Sequence, residues 1–184
     1  MVLTISSVKL SAKIPARNLD EIRDKCLEQN ITYSMYNNFI VFRLPKYTFI
    51  IFKRRLLKNC EEDSNVLQHA NITVKNIKEI DQAIDSLRKL LQYEENSSIP
   101  FTIDNLTATA SLGKSINVEE FLKITRHITD KVSFNPERFP AIFVKYKTRK
   151  ILLFRSGILN ILGCKNTDEL DETYSWIKSI CVSI

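Results

Sequence analysis

Read for the spacing of its apolar residues, the chain falls into alternating strand-like and helix-like stretches. Residues 3–13 (LTISSVKLSAK) alternate as a half-buried strand does. Leu19, Ile22, Cys26 and Leu27 then recur at helical spacing. Asn18 stands as their N-cap with Glu21 three residues on, a capping-box arrangement. NFIVFRL, YTFIIF and KRRLLKNC predict three strands in hairpin succession over 38–60, the first two joined by Pro45-Lys46. Residues 61–75 read as an inserted polar loop with room for one short strand. From Asn76 to Glu94, Ile77, Ile80, Ile84, Leu87 and Leu91 form an amphipathic stripe and predict the longest helix. ENSSIP is a polar linker.

The pattern then restarts. FTIDNLTATASLGK is strand-like, and Asn117 opens a helix with Phe121, Ile124 and Ile128 facing inward. AIFVKY and KILLF are strands joined by the polar turn KTRK, with Phe139 opening the first and Phe154 closing the second. Ser156-Gly157 turns the chain into a third strand, and residues 167–184 form a closing helix. Phe52 and Phe154 are 102 residues apart. The same offset carries Leu10 onto Leu112, Ile14 onto Ile116, Ile22 onto Ile124 and Arg43 onto Lys145, and it lays the Leu pair of KRRLLKN over the Ile-Leu of RSGILN. In the last helices the offset is 90, pairing Ile80 with Leu170, Ile84 with Tyr174 and Leu87 with Ile177. Two repeats follow, 1–96 and 97–184, the first longer by the inserted loop. Their strands can join in one antiparallel sheet with helices on one face, an α+β architecture whose other face is open.

Composition narrows the function. The 184 residues suffice for one larger domain or two small ones, and 44% hydrophobic with 26% charged residues suits a globular fold. A net charge of +6 leans toward polyanions. No apolar run approaches the roughly 20 residues of a membrane span, and the first residues lack a signal-peptide core, so no membrane partner is expected. Four scattered cysteines read as free thiols. Two histidines without partners at ligand spacing, three glycines and no nucleophile motif leave no expected catalysis, cofactor, metal or small-molecule substrate.

The second repeat resembles the core of the TATA-binding protein family. FTIDN (101–105), the NPERFPAIFVK run and LLFRSGILNILG (152–163) carry the resemblance. The first repeat joins it weakly through SSVKLSAK, IVFRL and IIF. The resemblance implies a saddle of one long curved antiparallel sheet, helices on its convex face, whose concave face binds and bends the minor groove of A·T-rich promoter duplex by wedging phenylalanines between base steps. Carried over residue by residue, Phe139 and Phe154 fall on one wedge pair and Phe52 on a wedge of the first repeat. Asn105 falls on a central base-contacting asparagine. Thr107, Asn160 and Leu162 fall on positions facing base edges. Arg138, Lys145 and Arg43 occupy phosphate positions, and Lys53, Arg54 and Arg55 replace the family's small-residue turn with charge.

The first repeat departs from the pattern. Its other wedge falls on Asn37 at constant offset, or on Tyr36 if one gap is allowed. The partner of Asn105 is Leu3 at that offset, and Lys58 stands where the family has a small apolar residue. These changes move the site toward phosphate attraction and away from base reading. Implied partners are double-stranded DNA, other initiation factors and RNA polymerase, the last two docking on the helical side. The acidic run Asp168, Glu169, Asp171 and Glu172 is a candidate patch there. A second reading keeps the fold as a protein–protein adaptor of a transcription complex that has drifted from DNA. The Ile/Asn/Lys-rich composition suggests an A·T-rich genome, and the expected location is the nucleus, or the site of viral transcription in a viral source.

Overall fold

The computed structural model describes residues 3–16, 18–53, 67–93, 99–128 and 131–182. Contacts divide the chain into two units, Val8–Ile103 and Asp104–Ile184 together with Met1–Ser7. This differs from a cut at 96/97 because the two longest sheet-forming stretches, β1 (Thr4–Pro15) and β6 (Phe101–Ser111), each divide their residues between the units.

The N-terminal unit continues from β1 through α1 (Leu19–Glu28), β2 (Tyr33–Met35), β3 (Phe39–Leu44), β4 (Tyr47–Phe52), β5 (Leu67–Val74) and α2 (Ile80–Leu91). Its strands are hydrogen-bonded in the order β2-β3-β4-β5-β1. Alternate positions point to one side and are buried: Leu10, Ile40, Phe42, Phe49, Ile51, Ala70 and Ile72 lie beneath Leu19, Ile22, Ile84 and Leu87 of the helices. Gln29 Nε2 donates to the Leu90 carbonyl at 3.1 Å and ties α1 to α2. Two helix expectations are corrected. The helix expected to be the longest opens as a 3-10 turn at Ile77–Glu79, and its 12 α-helical residues are fewer than the 16 of Thr167–Val182. Leu27 is 56% exposed because it lies off the buried stripe of α1.

The C-terminal unit repeats the plan: β6, α3 (Val118–Thr125), β7 (Val132–Asn135), β8 (Phe139–Tyr146), β9 (Arg149–Phe154), β10 (Ile158–Cys164) and α4 (Thr167–Val182). Its order is β6-β10-β9-β8-β7. Asparagine begins three of the four helices in the same way. Asn18, Asn117 and Asn166 accept from the N–H groups of Glu21, Glu120 and Glu169 at 2.9, 3.3 and 2.8 Å. Ile128, expected to face inward, is 52% exposed because α3 stops at Thr125.

The repeat is real, yet its offsets differ from a constant 102. Ile40 pairs Ile51 as Ile142 pairs Leu153, so 102 holds for the β3–β4 and β8–β9 hairpins. Leu10 opposes Ile72 as Ala108 opposes Ile161, which makes the offset 98 for β1 and β6. The buried faces Leu19/Ile22/Cys26 and Val118/Phe121/Thr125 give 99 for α1 and α3. The pairings of Leu10 with Leu112, Ile14 with Ile116 and Ile22 with Ile124 are therefore displaced by three or four residues. For α2 and α4 the offset of 90 carries five of the six buried positions onto buried ones, with Ile84 falling on the half-buried Tyr174.

The largest correction concerns the inserted loop. Residues 67–74 are a central eight-residue strand, β5, paired with β4 on one side and β1 on the other. It is the counterpart of β10, so KRRLLKN does not match RSGILN. Of the strand expected over 53–60, Lys53 lies outside any strand and the rest lies outside the described residues, as does Lys58.

Candidate nucleic-acid interface

Strand alternation sends every second side chain away from the helices, so each unit has an open face. In the N-terminal unit this face carries Lys9, Ser11 and Lys13 on β1, His69, Asn71 and Thr73 on β5, Thr48, Ile50 and Phe52 on β4, and Phe39, Val41 and Arg43 on β3. In the C-terminal unit it carries Asn105, Thr107 and Thr109 on β6, Ile158, Asn160 and Leu162 on β10, Lys150, Leu152 and Phe154 on β9, and Ala141, Phe143 and Lys145 on β8. No described strand position on either open face is acidic, although the chain has 21 Asp and Glu residues. The carboxylates cluster on the helices, as on α1 and α4. The open faces therefore present positive charge to a polyanion with no local competitor.

Aromatic rings crowd both faces. Phe139 is 38% exposed and its ring centroid lies 6.0 Å from that of Phe154, interplanar angle 57°. Phe143, 41% exposed, lies 5.4 Å from Phe139. Beneath them Ala141, opposite Phe154, is fully buried. In the N-terminal unit Phe52 has the corresponding place, and Phe39 lies directly opposite it with centroids 5.8 Å apart at 42°. Tyr36, 53% exposed, stacks on Phe39 at 4.5 Å. Tyr36 and Phe39 thus bring two further rings beside Phe52, two residues past Asn37 in the case of Phe39. Sequence reasoning missed Phe39 because a constant offset places it on Ala141.

The polar residues are oriented as well as present. Asn105 Oδ1 accepts from the Gly163 N–H at 2.7 Å. A backbone N–H can only donate, so this bond fixes the carboxamide and leaves Nδ2 as the outward donor, 3.4 Å from Thr107 Oγ1. Asn160 Oδ1 accepts from Thr109 Oγ1 at 2.8 Å. The structure brings Asn105, Thr107 and Asn160 together on one face of the C-terminal unit, with Leu162 beside Lys150. By register the counterpart of Asn105 is Ser7 and not Leu3. The counterpart of Asn160 is Asn71, opposite Ser11 and Ile50. Asn71 escaped notice because it sits in the stretch read as loop.

Among the expected phosphate ligands, Arg43 and Lys145 are exposed on the open faces, and Arg138 is exposed in the turn before Phe139. Lys53 follows β4 and is exposed, its N–H bonded to the Asn38 carbonyl at 2.8 Å. Arg54 and Arg55 lie outside the described residues. No group of three or more His, Cys, Asp or Glu side chains is placed to hold a metal ion among the described residues.

A family model described as "Transcription factor TFIID (or TATA-binding protein, TBP)" matches residues 100–180. A TATA-box-binding protein of Methanosphaera stadtmanae is 29% identical over 151 residues, covering 77% of this chain and 73% of the relative. That of Thermococcus sibiricus is 31% identical over 81 residues, 43% of this chain, and the match spans 42% of the relative's length. The solved structure of Methanococcus jannaschii TBP superposes with a TM-score of 0.73 at 21% identity, covering 100% of both chains. The chain's fold matches that of this solved structure. Residues 100–180 of the chain match the TATA-binding protein family. The family model covers residues 100–180, whereas Phe39 and Ser7 fall outside it.

Proposed function

We propose that this protein is a DNA-binding transcription initiation factor that holds the minor groove of A·T-rich promoter duplex against its open faces and bends it by wedging aromatic rings between base steps. The observation that carries the reading is the fixed Asn105 carboxamide. The minor groove of an A·T pair offers only acceptors, adenine N3 and thymine O2, and a site that reads it needs outward donors. The Gly163 N–H holds the Asn105 oxygen, which leaves Nδ2, with one long bond to Thr107 Oγ1 at 3.4 Å, as the donor on the open face. The exposed Phe139, with Phe154 beside it, supports wedging in the C-terminal unit. Phe39 and Phe52, with Tyr36 stacked behind, support it in the other. Flexible pyrimidine–purine steps would be the least costly to unstack.

The acidic helices favour a separate role for the opposite side: docking of other initiation factors and RNA polymerase. The adaptor reading, in which the sheet has left DNA, predicts that this face is occluded or its rings buried; Phe139 and Tyr36 are exposed. The groove assignment is tested by competition. A minor-groove drug should displace the protein from an A·T-rich duplex, whereas methylation of major-groove edges should leave binding unchanged; the reverse pattern overturns the reading.

A further inference from the structure

The β8–β9 hairpin carries four cations, and strand alternation sorts them into two pairs. Lys147 and Arg149 turn to the helix side. There Lys147 Nζ bonds the Glu172 carboxylate, and Arg149 Nη1 donates to Glu172 Oε2 at 2.6 Å and to Thr173 Oγ1 at 3.2 Å. Arg149 Nε also lies 3.5 Å from Glu169 Oε2. Lys145 and Lys150 turn the other way, onto the open face, and both are exposed.

These two lysines are directly opposite in the register of β8 and β9. The Lys145 N–H donates to the Lys131 carbonyl at 2.9 Å, away from β9. The Lys145–Lys150 pair is therefore of the non-hydrogen-bonded kind, in which the Cα atoms are about 4.5 Å apart and the side chains closest. Like charges facing each other in this way destabilise a sheet. The neighbouring open-face positions relieve nothing: Phe143 and Leu152 form the next rung, and Leu162 flanks Lys150 on β10. The corresponding rung of the N-terminal unit holds Arg43 opposite Thr48, a single cation.

We propose that Lys145 and Lys150 together form a cradle for one phosphodiester group of a nucleic-acid backbone. Two ammonium groups supply donors to both non-bridging oxygens, and the anion removes the repulsion that the free protein carries. The adjoining Phe143 and Phe139 offer an apolar surface to the sugar and base that such a phosphate brings with it. This inference rests on the duplex-binding reading and adds Lys150 and the sharing of one phosphate to it.

The test measures affinity for an A·T-rich duplex against salt concentration for the wild type, Lys145→Gln, Lys150→Gln and the double variant. Each phosphate neutralised contributes about 0.9 to the logarithmic salt slope. One shared phosphate predicts that the double variant loses about one unit of slope, with each single variant losing less. Two separate phosphates would cost the double variant about two units and overturn the cradle, as would an unchanged slope. A DNA-free arm keeps the idea independent of affinity: at low salt Lys150→Gln should melt higher than wild type, with the gain fading as salt screens the pair. An unchanged or lowered melting temperature there counts against it. Wild-type protein that binds no duplex overturns the functional reading and the cradle with it, whereas normal binding with an unaltered slope in the double variant removes the cradle alone.

Discussion

Phe39 stands directly opposite Phe52 across β3 and β4, ring centroids 5.8 Å apart, and this pair nearly reproduces the 6.0 Å spacing of Phe139 and Phe154. The two pairs are built differently. Phe139 comes from two residues before the position opposite its partner, and a buried Ala141 fills that position. In the N-terminal unit the large ring sits in the opposing position itself, and Asn37 takes the place of Phe139. Exchanging a large and a small side chain between alternate residues of one strand face keeps an aromatic pair on that face. The change predicts that Phe39→Ala weakens duplex bending about as much as Phe139→Ala, while Asn37→Ala has little effect. Bending amplitude measured by gel phasing on a short A·T-rich duplex checks this.

Asn105 gives a sharper prediction about chemistry. In Asn105→Asp a carboxylate oxygen still accepts the Gly163 N–H, but the outward donor becomes an acceptor facing groove acceptors. Affinity for an A·T-rich duplex should fall by roughly 1–3 kcal/mol, the usual worth of a specific base contact. Thermal stability should change little. Equal losses of affinity and stability would mean that Asn105 serves only the β6–β10 connection.

Gly157 has a structural role that a substitution exposes. Its φ is +79°, and a Cβ there would come within 1.9 Å of the Lys114 carbonyl oxygen, a backbone atom that cannot swing aside. Gly157→Ala should cost at least about 2 kcal/mol, combining left-handed strain with the clash. Urea unfolding should show a lowered midpoint at an unchanged slope.

The contact between the β8–β9 hairpin and α4 is pH-dependent. Hydrogen bonds from Lys147 first, then Arg149, hold the Glu172 carboxyl down at about 2, against an ordinary value of 4.5. Tyr146 Oη adds a third bond at 3.2 Å. Because the folded value is the lower one, the stabilisation is complete above the ordinary value and is lost as pH falls toward about 2. Melting temperature should therefore decline between about pH 5 and 2, and decline less steeply in Glu172→Gln. Parallel curves for the two proteins would contradict this.

How far the sequence discloses the structure depends on where the information lies. The stripes of α2 and α4 are legible at an offset of 90 because helix burial needs only spacing. The two long hairpins are legible because their apolar alternation is strong. Strand β5 is not: its outward residues are His69, Asn71 and Thr73, and Gln68 among its inward ones is buried with its amide on the Ala16 carbonyl at 3.2 Å. No local pattern encodes that partner. Lys150 was hidden for a similar reason. KTRK reads as a polar turn, yet the turn is Lys147 and Thr148 alone, and Arg149 already lies in β9 with its charge answered by α4. Phe39 became visible only once register placed it across from Phe52.

Bending of duplex by the aromatic pairs is the central claim, and fluorescence energy transfer across an end-labelled A·T-rich duplex tests it most directly. Titration with wild-type protein should raise transfer as the ends approach, a G·C-rich duplex should respond weakly, and Phe139→Ala/Phe154→Ala should abolish the rise while retaining salt-dependent binding. Binding that leaves transfer unchanged, or a rise that survives in the double variant, would contradict the account.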